Sequence, residues 1–454
     1  VLFNSFGFLA FFFAFVPTYY LTPHRYRWLV LTAASLFFYA TFRIEYLALL
    51  FVVSFLGYGA ARVIDTATTI KTRKVVLGVA VVAIVGLLAV AKLVPAAGFV
   101  GAAGLSFYSL SAISYLVDVY RRELAAEPHF GRLLLYLAFF PKLLAGPIER
   151  ARPFFVQLAT PVAFDGARVA SGLQLMLWGL FKKVVIADRL AAFVDAAYSQ
   201  PGFAPPADLL IATYFFAFQL YCDFSGYSDM ALGTARVLGI DLMENFRRPY
   251  LSGSVAEFWS RRWHLSLAGW FRDYVYIPLG GSRTSRLRHA LNLLVVFLLS
   301  GAWHGANWTF VIWGGLNGVY VAASTVLRRP QAVSRGVATR AMRAVVTFHA
   351  VLLTWVFFRA ASLADAAAIF ERTARAVPQL PRLLWVRLQD PAILLGIATI
   401  AVLVIVEIVD EGRPMWDRLR ERPIALRWAV YYAILAALLV LGTWNLRQFV
   451  YMQF

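Results

Sequence analysis

Apolar runs close to 20 residues long recur from one end of this chain to the other, and nothing else in it limits the fold so severely. A run of that length crosses about 30 Å of hydrocarbon as an α-helix. The composition agrees. Of 454 residues, 61% are hydrophobic and only 15% are charged, against roughly a quarter charged in soluble domains. The mean hydropathy is +0.69. The expected fold class is all-α, a polytopic membrane bundle of about eleven spans with re-entrant and interfacial helices.

The net charge is +19 and the pI is near 10.2. The basic residues sit in short segments between apolar runs. That is the distribution of topology charge and not of nucleic-acid binding. Early spans are expected near 5–21, 28–42, 46–62, 75–93 and 101–119. The odd loops carry Arg25 and Arg27; Arg62, Lys71, Arg73 and Lys74; and Arg121, Arg122 and Arg132. The even loops carry only Arg43 and Lys92. Nine against two puts the odd loops inside and the N-terminus outside. The first run has no basic segment before it and no small-residue cleavage site after it, so it reads as a retained span. Disulfides are excluded within the chain, since Cys222 is the only cysteine.

The centre is less regular. Residues 133–146, broken by Pro141 and Gly146, are too short for a span and read as re-entrant or interfacial. Spans follow near 168–187, 207–222 and 226–240. The stretch 244–289 is rich in arginines and aromatics together, and Arg261, Arg262, Arg272 and Asp273 keep it out of the hydrocarbon. A pair of short helices lying in, or dipping from, the cytoplasmic interface is expected there. Apolar material fills 290–326, and spans near 343–359, 391–409 and 427–446 finish the chain, with surface helices across 360–390. The whole reads as one integral-membrane domain over 1–454: N-terminal spans in 1–132, a motif-bearing core in 133–326 and C-terminal spans in 327–454.

"SGAWHGANWTF" (300–310) interrupts the apolar material of 290–326. Polar groups at membrane depth are costly, and broken helix is tolerated there where it lines a cavity or is buried in protein. Gly301 and Gly305 bracket His304 and permit a break, and Asn307 is placed to hydrogen-bond its ring. His304 is then either an imidazole satisfied by a neighbouring carbonyl or a general base facing a water-filled tunnel, since a pKa near 6.5 suits taking a proton from a hydroxyl. His264 is a second histidine, in "RRWHLSLAGWFRDY", and reads either as an interfacial residue among aromatic anchors or as a ring pointing into the same tunnel. The other four histidines occupy apparent loop or interface positions. Asp223 and Asp229 need partners in their apolar setting, and either loop backbone or the arginines of 247–262 would serve. No zinc-type ligand spacing is present, and nothing beside Cys222 would activate it as a nucleophile.

Four motifs resemble the membrane-bound O-acyltransferase family in its bacterial alginate and polysaccharide O-acetyltransferase branch. They are "FFPKLLAGPIER" (139–150), "DFSGYSDMALG" (223–233), "ENFRRPYLSGSVAEFWSRRWHLSLAGWFRDYVYIPLGGSR" (244–283) and "WHGANWTF" (303–310). The N-terminal segment 15–40 is also similar, and Lys142 stands where the branch favours a neutral polar residue. The resemblance implies a bowl-shaped bundle with a thinned centre, His304 and His264 as catalytic residues, and acetyl-coenzyme A as donor from the cytoplasm. It makes Trp303, Asn307, Trp308, Asn245, Asp223 and Asp229 candidate substrate contacts. Arg261, Arg262 and Arg272 are then either a phosphate-attracting mouth or interface anchors. The implied reaction is outward acetyl transfer to an exported polysaccharide such as alginate, completed by a periplasmic partner protein. D-alanyl, peptidoglycan and cellulose acyl transfer are alternatives within the family. A proton-coupled transporter is the alternative outside it, although no internal repeat supports one.

Overall fold

The computed structural model describes residues 2–93, 103–326, 336–413, 415–444 and 449–450. Every regular element among them is helical. Residues 101 and 102 of the expected span 101–119, residues 327–335 and the end of the expected span 427–446 lie outside the described residues. Seven described helical stretches are long and apolar enough to cross a membrane, and shorter or less apolar helices accompany them. The chain divides into two compact units.

The first unit comprises Val1–Gly179, Tyr227–Glu244 and Gln448–Phe454. Its helices are α1 (Phe6–Leu21), α2 (His24–Ala40), α3 (Tyr46–Thr66), α4 (Ile70–Leu93), α5 (Leu105–Tyr120), α6 (Phe130–Ala138), α7 (Phe140–Leu143), α8 (Ala151–Ala159) and most of α9 (Gly166–Phe181). The sequence expectation of a broken segment at 133–146 is met by α6 and α7. Phe140, at the start of α7, lies against Phe11, Phe15 and Phe38 at 5.4, 5.6 and 5.6 Å between ring centroids. Such edge-on and tilted aromatic contacts hold a short helix that could not stand alone. Lys142 is buried there, with its ammonium 4.5 Å from the centre of the Tyr136 ring.

The second unit comprises Leu180–Gly226 and Asn245–Arg447. A π-helical turn, Lys182–Ala187, leads into α10 (Asp188–Ser199). The helix α11 (Pro206–Val237) then runs unbroken for 32 residues, where two spans had been expected. Nothing near 223–226 breaks it, because Ser and Gly in a long, buried helix lower its stability without ending it. The ammonium of Lys183 lies 2.8 Å from Asp188 and 2.7 Å from Asp223, so Asp223 has a lysine as an ion-pair partner. Among the arginines of 247–262, Arg248 pairs with Asp410, and Arg262 with Glu257 and Glu411.

The stretch 244–289 forms short helices, as its sequence leads one to expect. It forms α12 (Val255–Glu257), a π-helical turn Phe258–Arg262, α13 (Leu265–Phe271) and a second π-helical turn Arg272–Tyr276. Phe258, Trp263, His264, Ser266, Trp270 and Phe271 are all buried in protein. After it come α14 (Arg286–His304), α15 (Trp308–Val326), α16 (Val337–Arg359), α17 (Leu363–Arg375), α18 (Leu380–Arg387), α19 (Pro391–Asp410), α20 (Met415–Arg420) and α21 (Ile424–Leu441). The segments α17 and α18 are the exposed surface helices expected within 360–390.

Candidate active site

The hairpin α14–α15 answers why small and polar residues interrupt an apolar run. Ser285 caps α14 by accepting from the Arg288 amide, as serine does at helix starts. The helix ends at His304, and Gly305 is extended. Asn307 then starts α15: its Oδ1 accepts from Thr309 N at 3.2 Å and its Nδ2 donates to the Ala361 carbonyl at 2.7 Å. Its hydrogen bonds therefore serve the turn, and the expected bond to the His304 ring is not among them. The two helices close on each other through glycines. A Cβ on Gly301 would lie 2.3 Å from the Phe310 carbonyl oxygen, and one on Gly314 would lie 2.4 Å from that of Phe297.

His304 is thus fixed on the last turn of α14. Its ring is buried against Trp303, Trp313 and Phe358, at 4.8, 5.1 and 5.2 Å between centroids. His264 arrives by a different route. It precedes α13 with φ of 46°, in the left-handed region. A non-glycine residue held there costs on the order of 1–3 kcal/mol and persists where its surroundings fix it. Here the fixing groups are visible. The Asn245 carbonyl accepts from Leu265 N at 3.0 Å, and its Oδ1 accepts from the amide and hydroxyl of Ser266 at 3.2 and 2.9 Å. Phe224 packs edge-on to the His264 ring at 4.6 Å. Burial pushes the His264 pKa down to about 3, so this imidazole is neutral at physiological pH.

Both histidines line one cavity of about 430 Å³, and the Trp303 ring stands 6.4 Å from His264 and 4.8 Å from His304. Arg272 lines the cavity as well, largely exposed and paired with Asp273 at 2.8 Å. So does His289, which had been read as an ordinary loop histidine, with Nε2 2.9 Å from the Tyr276 hydroxyl. A signal for it exists in the sequence. Positions 289, 293, 296, 300 and 304 fall on one helical face, and all five line the cavity.

The remaining candidates fall elsewhere. Trp308 is 69% exposed and is not part of the lining. Asn245 acts on the backbone around His264, and Asp223 is ion-paired one residue before Phe224. Asp229 belongs to the first unit, which contains neither cavity histidine. Arg261 is exposed, and Arg262 is spent on Glu257 and Glu411. No group of three or more potential metal ligands occurs among the described residues.

A buried histidine pair in one cavity of a helical membrane protein defines a class of site suited to proton transfer away from bulk water. The chain belongs to the membrane-bound O-acyltransferase family, whose profile matches residues 16–364. It is 37% identical to a probable alginate O-acetylase of Azotobacter vinelandii over 424 residues, 87% of this chain and 83% of that protein. It is 34% identical to a peptidoglycan O-acetyltransferase of Helicobacter pylori, over 59% of this chain and 55% of that one. A teichoic acid D-alanyltransferase of Streptococcus thermophilus is 27% identical over 56% of this chain and 67% of its own length. The chain is a multi-pass membrane protein and an acyltransferase.

Proposed function

We propose that this acyltransferase takes acetyl groups from acetyl-coenzyme A on the cytoplasmic side and passes them outward for O-acetylation of an exported polysaccharide of the alginate type. The observation that carries the reading is the single cavity shared by His304, His264 and His289. From His289 to His304 the lining face of α14 advances fifteen residues, about 22 Å at 1.5 Å per residue. The pantetheine arm of coenzyme A, from sulfur to phosphorus, reaches roughly 15 Å when reckoned at the ~3.5 Å per three bonds of an extended peptide. A thioester beside His304 therefore sets the phosphate near Leu293, one turn short of His289.

In this reading the acceptor oxygen attacks the thioester carbonyl carbon while the His304 imidazole takes the hydroxyl proton. The C–O bond forms, the C–S bond breaks, and the proton passes to the leaving sulfur. Trp303, Trp313 and Phe358 surround the base and limit hydrolysis. His264, neutral at physiological pH, orients the thioester by hydrogen bonding. The bias of basic residues in the odd loops supports a cytoplasmic donor side and a periplasmic N-terminus in the inner membrane. The alginate-type acceptor is favoured because that relative combines the higher identity with the longer match. A periplasmic partner protein completes the transfer.

The test compares exported polysaccharide from cells with and without the protein by mass spectrometry, alongside transfer from acetyl-labelled coenzyme A by the purified protein in vesicles. Label moving into an alkali-labile ester is expected. Equal polysaccharide acetylation without the protein, and no acetyl-coenzyme A consumption with it, would overturn the reading.

A further inference from the structure

The first unit carries a second pocket, of about 220 Å³, lined by His24, Arg25, Trp28, Glu127, Arg132 and Phe155 among others. It contains no part of the machinery described above. Its two arginines come from different elements, Arg25 from the first turn of α2 and Arg132 from the first turn of α6. Neighbouring Arg27 shows what a structural arginine does here: it donates to the carbonyls of Thr22, Tyr20 and Val162. Arg25 and Arg132 have no hydrogen-bond or ion-pair partner among the described residues; Arg25 only stacks on Tyr26 at 4.7 Å. The one acidic lining residue, Glu127, accepts from the His129 amide at 3.1 Å. The pocket therefore presents two uncommitted guanidiniums against one engaged carboxylate.

The apolar wall is built with equal care. The Trp28 ring lies over α6 at Gly131, where a Cβ would come within 2.7 Å of it, and meets the His129 ring at 4.7 Å. Phe155 and Leu158 of α8 line the pocket too. Only Thr22 and Pro23 separate α1 from α2, so the pocket lies where two expected spans meet, at headgroup level in whichever leaflet they end. Paired arginines match the oxygens of a phosphate, and an amphipathic tryptophan suits the boundary between headgroup and acyl chain.

We propose that this pocket is a binding site for a phosphate ester, occupied by an anionic phospholipid headgroup or by a soluble phosphate compound, with Arg25 and Arg132 as its ligands. The site is independent of acyl transfer and stands or falls separately from the reading of the cavity.

The experiment uses the full chain in nanodiscs and in detergent. Retention of phosphatidylglycerol and phosphatidylcholine is measured by native mass spectrometry, and glycerol phosphate and inorganic phosphate are added in parallel thermal scans. The wild type is expected to retain phosphatidylglycerol preferentially. Arg25→Gln with Arg132→Gln should weaken retention about thirtyfold, the equivalent of about 1 kcal/mol for each arginine near anionic headgroups. Arg25→Lys with Arg132→Lys keeps the charge and should retain lipid better than the glutamine pair, even if the latter is less stable. Stabilisation by glycerol phosphate or inorganic phosphate, lost in the glutamine pair, with no preference between the lipids, would identify a soluble occupant. Exposed Lys71→Gln with Lys74→Gln is the control. The proposal fails if that control loses as much lipid as the glutamine pair, or if the glutamine pair binds every probe as the wild type does.

Discussion

Replacing Gly301 by alanine tests whether the hairpin's close approach places the base. The new Cβ would stand 2.3 Å from the Phe310 carbonyl oxygen and 3.1 Å from its carbon, both backbone atoms. Ordinary contact begins near 3.4 Å, so α14 and α15 must part locally by about 1 Å. Two stability effects oppose each other. Alanine in a helix interior gains about 1 kcal/mol over glycine, while overpacking against a carbonyl costs roughly 1–3 kcal/mol. The net is a modest loss of up to about 2 kcal/mol, compatible with a folded protein. The effect on rate should be far larger. His304 lies three residues on, and a displacement of about 1 Å at a reacting group costs on the order of 100-fold. Gly315 supplies the control, because a Cβ there meets only Leu298 Cδ2 at 3.7 Å. The assay is acetyl transfer by purified protein in vesicles, with a thermal scan of each variant. Gly301→Ala should lose about two orders of magnitude in rate while Gly315→Ala keeps both rate and midpoint. Wild-type turnover in Gly301→Ala would refute the argument that the hairpin sets the position of the imidazole.

Other expectations concern stability, pH and orientation. Lys183→Met should lower stability by about 3–5 kcal/mol, because Asp188 and Asp223 would remain buried without their lysine; an unchanged thermal midpoint would show that the trio carries no such burden. His264 has a folded pKa of about 3 against 6.5 for the ordinary imidazole, so the unfolded chain binds the extra proton between those values. Its contribution to stability is complete above pH 6.5 and falls with pH toward 3, by at most about 1.4 kcal/mol per pH unit. Thermal midpoints of wild type and His264→Gln across that range should diverge as pH rises, and parallel profiles would count against a buried neutral ring. A reporter fused after Arg122 should read as cytoplasmic; a periplasmic signal would invert the proposed topology.

The helical membrane class was legible because hydrocarbon thickness imposes a length on apolar runs that composition alone reveals. The broken hairpin at His304 was legible for a related reason, since polar residues at that depth demand an explanation. What escaped was fixed by tertiary packing. Asp223 pairs with Lys183, forty residues upstream, and no local pattern joins them. Within 244–289, Phe258 and Trp263 stack at 5.3 Å and Trp263 meets Trp355 at 5.0 Å, contacts that composition does not announce. His289 lay on a readable helical face with His304, but only the turn carrying Tyr276 makes that face a cavity wall. Asn307 was correctly marked as structurally special, although its role is to cap α15 and not to hold the histidine.

The most direct measurement is the single-turnover rate of acetyl transfer from acetyl-coenzyme A, in vesicles, for wild type and for His304→Ala verified as folded and inserted. Removal of a general base of this kind should slow transfer by about 10²–10⁴-fold, with donor binding retained. A variant that transfers acetyl within a few-fold of the wild-type rate would contradict the assignment of His304 as the base.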